Sequence, residues 1–287
     1  MWLVGEVAIL RVAIKKLLTG ALKMTGLTYD STPILMYHSV HPNHPLAVTP
    51  GAFREQIAFF RENFRVVSLR EYLQAKIENR LLPGTGAVTF DDGYQDNYHF
   101  AYPVLQDYSC PATIFVSSGF LEAADYREFS RRAGLYPQLP PLGWGELEKM
   151  HPLVEVGAHT HSHIQIATVE KEVLQRELRT NIALIEDRLA VTPVILAYPW
   201  GQDFDFIRPN CGLVQQYFQG AVTTNFAADN SGIRISPYRL RRLPVGPRDD
   251  LDFFAAKVAG ALDFIGPLKK IQGRWENKKD RNTSTHL

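Results

Sequence analysis

The chain of 287 residues is 45% hydrophobic, 11% aromatic and 21% charged, a composition that buries a substantial core and excludes a largely disordered protein. Its formal net charge of +1 sets up no long-range field for a polyanion, so any basic partner site must be local and nucleic acid is not indicated. Two cysteines, Cys110 and Cys211, stand far apart with no metal spacing near either, and they read as small buried apolar residues rather than as a disulfide framework.

At the N-terminus, in "MWLVGEVAILRVAIKKLLTGALKMTG", Glu6, Arg11, Lys15 and Lys16 interrupt every apolar run well short of the roughly 20 residues of a membrane span. No small-residue cleavage site follows an uninterrupted apolar core. Leu3, Val7, Leu10, Ile14, Leu17 and Ala21 recur at three- and four-residue steps, with Arg11, Lys15, Lys16 and Lys23 on the opposite side. That spacing predicts a basic amphipathic helix over residues 1–28. Such a helix either packs on the domain or a partner, or lies through residues 1–27 in the interface of an anionic membrane.

Beyond it, short apolar runs alternate with helical stretches. Strands are expected at 33–37, 64–69, 86–90, 112–117, 154–158, 194–198 and 220–224, and helices over "PGAFREQIAFFREN", "SLREYLQAKIEN" and residues 169–190. In the last, Val173, Leu174, Leu178, Ile182, Ile185 and Leu189 share a face. Residues 120–143 read as an insertion or long loop. Near-continuous apolarity of the strands implies a parallel sheet covered on both faces. Polar residues directly after four strands (His38, Asp91 with Asp92, His159, and "PWG" after Tyr198) favour closure into a distorted (β/α)7 TIM-like barrel, which gathers its strand ends at one mouth. One barrel domain is therefore expected over 29–272, with a loose polar tail over 273–287.

In "GAHTHSH", residues 157–163, His159 and His163 are four apart, so on one helical turn their imidazoles share a face and can grip one metal ion. A carboxylate from another strand end would complete a triad with open positions. "FDDG" supplies one. Adjacent carboxylates repel unless a cation or proton separates their roles; with Asp92 on a dication, Asp91 is free to act as a base.

Together "MYHSV", "TFDDG", "HTHSH" and "AYPWG" resemble the polysaccharide deacetylase (NodB-homology) family, carbohydrate esterase family four, in the branch with an N-terminal YH motif. The resemblance, over residues 32–245, implies a distorted barrel that binds a divalent metal, usually Zn2+, and removes N-acetyl or related groups from amino sugars of a glycan or glycolipid. It implies Asp91 as general base, Asp92, His159 and His163 as metal ligands, and the backbone N–H of Trp200 as an oxyanion donor. His161, between the two, has no role in the family's motif and reads as a solvent-facing residue or as one that supports the ligands from behind. Two residues of the best-known branch are missing: Ala197 stands at an arginine's place, and no histidine follows "LRRLPV". His38 is the substitute candidate for general acid, and Arg242 the candidate to hold Asp91 ionised, with Arg239 and Arg241 adjacent. Trp144 and Trp200 are candidates for an apolar sugar platform, or for core. The expected activity is an amide hydrolase on an N-acylated sugar, placed in the cytoplasm or on the inner face of the membrane. The competing readings are a catalytically silent sugar-binding barrel, and a same-fold hydrolase of a small cyclic amide or a formylated amino sugar.

Overall fold

A computed structural model describes residues 29–202 and 211–263. The expected N-terminal helix over 1–28 and the tail over 273–287 lie outside the described residues. Among those described, no helix is long and apolar enough to cross a membrane.

Seven strands close into a parallel barrel: β1 (Ile34–Tyr37), β3 (Thr85–Phe90), β4 (Ala112–Val116), β5 (Val154–Ala158), β6 (Ile195–Ala197), β7 (Gly220–Phe226) and β8 (Leu240–Pro244). Each pairs with the next in that order, and β8 and β3 both pair with β1, which completes the ring. The barrel is distorted: β5 and β6 share a single register pair, Ala158 with Leu196, and the β7–β8 register shifts between Val222 and Phe226.

The strand count was legible, but one member differs. The run at 64–69 yields only β2 (Arg65–Val66), which pairs outside the ring on the start of β3. Ser68 cuts the run short because its hydroxyl accepts from Glu71 N at 3.2 Å and caps α2 (Leu69–Ile77). The missing barrel strand is β8, whose two central arginines hid it from apolar patterning.

Helices form where their sequences cap them. Thr49 accepts from Ala52 N ahead of Pro50 at the start of α1 (Pro50–Asn63). The long α7 (Lys171–Leu189) packs Leu174 and Leu178 in one core cluster and Ile185 in another, each shared with the strands. Between them lie α3 (Tyr102–Asp107), α4 (Ser118–Leu121), α5 (Tyr126–Ala133) and α6 (Trp144–Met150), and α8 (Cys211–Tyr217) and α9 (Leu251–Val258) follow. The segment 120–143 is thus partly helical, with α5 capped by Asp125 and ended by Gly134 at φ +73°.

The barrel lumen is filled rather than hollow, by Ala87, Phe115, Ala197, Val222 and Leu240. Phe115 fits because residue 157 is glycine; a Cβ there would come within 2.4 Å of the ring. Cys110 is buried as expected, and burial pushes its thiol up to about 12; the companion reading of the Cys211 side chain lies outside the described residues.

Candidate active site

The strand ends deliver His38 after β1, Asp91 and Asp92 after β3, and His159 after β5 to one mouth. Asp91 N donates to Tyr37 O at 3.0 Å, locking the ends of β1 and β3 together. The two carboxylates then part because Asp92 adopts φ +73° and Gly93 φ +87°, a left-handed turn that glycine favours and aspartate tolerates.

Asp91 is received by Arg242. Nη1 and Nη2 donate to Oδ1 and Oδ2 at 2.6 and 2.7 Å, a bidentate pair. Arg242 is fully buried and fixed along its length: Nε donates to Thr223 O at 2.9 Å, Nη1 to Thr89 Oγ1 at 3.2 Å, and the guanidinium sits 5.6 Å from the Phe115 ring centroid. Arg239 is exposed, and Arg241 turns to the Asp229 carbonyl. Of the three arginines, only Arg242 meets Asp91. Burial acts to raise the Asp91 carboxyl, but the Arg242 charge, the His159 ring and the paired hydrogen bonds outweigh it and leave it below its ordinary range.

Asp92 Oδ1 lies 3.4 Å from both His159 Nε2 and His163 Nε2. Each imidazole donates its other nitrogen to a carbonyl: His159 Nδ1 to Ala197 O and His163 Nδ1 to Ala133 O, both at 2.8 Å. The Nε2 atoms are thereby aimed at the carboxylate, the orientation typical of metal-ligating histidines. Burial, which favours the neutral ring, holds His163 down to about 4. For His159, burial is outweighed by the Asp92 hydrogen bond and the two carboxylates, which raise it. The helical-turn expectation for this pair does not hold. Residues 159–163 form a loop, and the rings converge because Thr160 and His163 adopt φ +60° and +54°.

These three donors are buried and lie within 4.8 Å of one another; among the described residues no other such group comes together. One carboxylate oxygen and two imidazole nitrogens with satisfied far sides fit a small divalent cation.

The donors open onto a cleft of about 330 Å³ that His38, Tyr94, Tyr136 and Trp200 also line. Trp200, at φ +64° and 52% exposed, stands as a wall 5.6 Å from the His163 ring. It rests on Gly134, where a Cβ would meet the indole at 2.6 Å. Trp144 takes no part in the cleft; its Nε1 donates to Glu122 Oε1 at 2.7 Å. Asp92, Thr160, His163 and Trp200 are four of the seven positive-φ non-glycine residues described, and the other three, Asn79, Ser109 and Ala190, end helices. Strained backbone therefore concentrates at this mouth, as it does at functional sites.

Other residues of the site left fainter traces in the sequence. Tyr94 is fully buried beside Asp92, accepts from Tyr136 N at 2.9 Å and stacks on that ring. Asn181, fully buried, bonds the backbone of His159; the signal was a polar residue on the apolar stripe of α7, between Leu178 and Ile185.

Next to His38, Ser39 Oγ donates to Asp96 Oδ2 and Asn97 Nδ2 to His38 O. Burial pushes Asp96 up to about 7. Its unfolded carboxyl ionises at about pH 4, so this group's contribution is complete below that pH. It is lost as pH rises to about 7, by roughly 4 kcal/mol at most. Asp96→Asn is expected to flatten this fall and to stabilise the protein at pH 8, measured by urea unfolding at pH 5 and 8; an unchanged difference between the two would refute it.

The profile of the family described as polysaccharide deacetylase matches residues 80–208. The Bacillus subtilis protein YxkH, which carries the polysaccharide deacetylase name, is 26% identical over 172 residues, 59% of this chain and 57% of that protein. The poly-beta-1,6-N-acetyl-D-glucosamine N-deacetylase of Escherichia coli K12 is 30% identical over 126 residues, 42% of this chain and 19% of that protein. The chain thus spans just over half the length of one relative and about a fifth of the other. In solved structures, the Streptococcus pyogenes deacetylase PplD in complex with acetate superposes with TM-score 0.66 at 23% identity, over 79% of this chain and 97% of that one, a likeness of fold. The segment that holds Asp91, Asp92, His159 and His163 is thus the segment that matches the polysaccharide deacetylase family, carried on a barrel that a solved deacetylase shares.

Proposed function

We propose that this chain is a metal-dependent deacetylase of that family, hydrolysing an N-acetyl or related amide on an amino sugar of a glycan or glycolipid. The observation that carries this reading is the convergence of Asp92, His159 and His163 beside a carboxylate, Asp91, that a buried arginine keeps ionised. Asp92 Oδ1 and the two Nε2 atoms would hold the divalent ion, Zn2+ by its donor set, which supplies Lewis acidity toward water and the amide carbonyl.

The chain's own residues do the rest. Asp91 takes a proton from the attacking water, and Arg242 keeps it oriented and ionised between turnovers. The backbone N–H of Trp200 donates to the oxygen that becomes negative as the carbonyl turns tetrahedral. His38, at the end of β1, gives the departing amine its proton. The exposed indole of Trp200 offers a flat apolar wall to the sugar ring.

Elemental analysis of purified protein, paired with acetate release from N-acetylglucosamine oligomers, tests the reading. One bound dication per chain and catalytic acetate release are expected for the wild type. Asp92→Asn is expected to lose metal affinity by at least about tenfold, and activity with it. A metal-loaded wild type that releases no acyl group from any N-acylated amino sugar would leave the silent sugar-binding barrel in its place.

A further inference from the structure

His161 sits between the two histidine donors, and its side chain is not one of them. Its Nδ1 lies 2.9 Å from Ser118 Oγ, at the start of α4. Ser118 is fully buried, and its hydroxyl also accepts from Asn181 Nδ2 at 3.0 Å. Asn181 reaches in from α7 and uses both ends of its amide: Nδ2 also donates to Val116 O at 3.1 Å, and Oδ1 accepts from His159 N at 3.3 Å.

The loop is tied at further points. Ser117 Oγ donates to His159 O at 2.9 Å, Gly119 N to His161 O at 2.8 Å, and Ser162 N to Glu177 Oε2 at 2.7 Å. Two of its residues, Thr160 and His163, are held in left-handed backbone, a state that persists only where the surroundings over-determine it. These bonds oppose relaxation of the loop toward ordinary backbone angles.

We propose that Asn181, Ser118 and His161 form a relay of positioning residues that holds the loop 159–163 at metal-ligating geometry. The relay links α7, the start of α4 and the loop, and its outermost member, His161, is the half-buried end that the loop itself supplies. This rests on the reading of Asp92, His159 and His163 as metal ligands, and not on any choice of substrate.

The test is the Zn2+ dissociation constant of the full chain, by competition with a chromophoric chelator, alongside the melting temperature of the metal-free protein. His161→Ala removes the outer end of the relay at a half-buried position. It is expected to weaken Zn2+ binding about tenfold while the metal-free melting temperature stays close to wild type. His161→Asn, which can place an amide nitrogen where Nδ1 stood, is expected to recover most of the loss. Asn181→Leu is expected to weaken Zn2+ binding more than His161→Ala does.

Unchanged Zn2+ affinity in His161→Ala and Asn181→Leu, in a wild type that does bind Zn2+, would overturn the relay whatever happens to the melting temperature. A wild type that binds no Zn2+ would overturn it together with the ligand assignment. A wild type that binds Zn2+ but releases no acyl group would sink the proposed activity alone, and the affinity differences would still support the relay.

Discussion

Arg242→Met is expected to destabilise the protein by about 3–5 kcal/mol. Both partners of the Arg242–Asp91 pair are buried, 0% and 2% exposed, so the variant strands a carboxylate whose two oxygens have lost their donors. Burial, no longer opposed by the guanidinium, then raises the Asp91 pKa. Asp91 is consequently protonated over more of the working range, and acetate release at neutral pH should fall by about 100-fold or more. Part of that loss should return as pH increases, because rising pH again ionises the freed carboxyl. Urea unfolding measures the first effect and a pH–rate profile the second. A double variant, Arg242→Met with Asp91→Leu, should recover much of the stability, because the stranded charge is gone. A single variant as stable as wild type would show that the pair does not hold the lumen.

Asp91→Asn separates the two adjacent carboxylates. Turnover should fall by roughly 10²–10⁴-fold, the usual range for a lost general base, while metal content stays at the wild-type level because Asp91 is not among the converging donors. KM should change little, since both carboxylate oxygens are engaged by Arg242 and Asn keeps the size and shape of the cleft lining. Turnover within tenfold of wild type would remove Asp91 from the base role. Loss of metal would show that the two aspartates share one task.

Both expectations depend on Arg242, a candidate by its sequence, on a strand that apolar patterning concealed. "LRRLP" has too much charge to read as a barrel strand, and choosing among Arg239, Arg241 and Arg242 required knowing which one faces inward. In β8 the inward one is Arg242, which makes four hydrogen bonds to Asp91, Thr89 and the Thr223 carbonyl and lies beside the Phe115 ring. A buried arginine is tolerated only when fully paired, and sequence alone does not display such pairing. The "FRVVSL" run failed in the opposite way: its apolar letters suggested a barrel strand, but Ser68 prefers to cap a helix.

That Asp92, His159 and His163 would meet was legible, but how they meet was not. A four-residue histidine spacing suggests a helical turn, yet the loop achieves the same convergence through left-handed residues and bonds from α4 and α7. The segment 120–143, read as an insertion or loop, supplies the Ala133 carbonyl that orients His163 and the Gly134 surface on which Trp200 rests.

By itself the amino-acid order determined the alternation of strands and helices, the barrel class, and the residue types that would meet at its mouth. These follow from local periodicity and from strand ends sharing one rim, both of which are written along the chain. Only the tertiary structure decided which strand closes the ring, which arginine meets Asp91, and how His159 and His163 turn their Nε2 atoms toward Asp92. Those outcomes depend on backbone angles and on hydrogen bonds between segments remote in the chain, and no local pattern encodes the partner at the far end of such a bond.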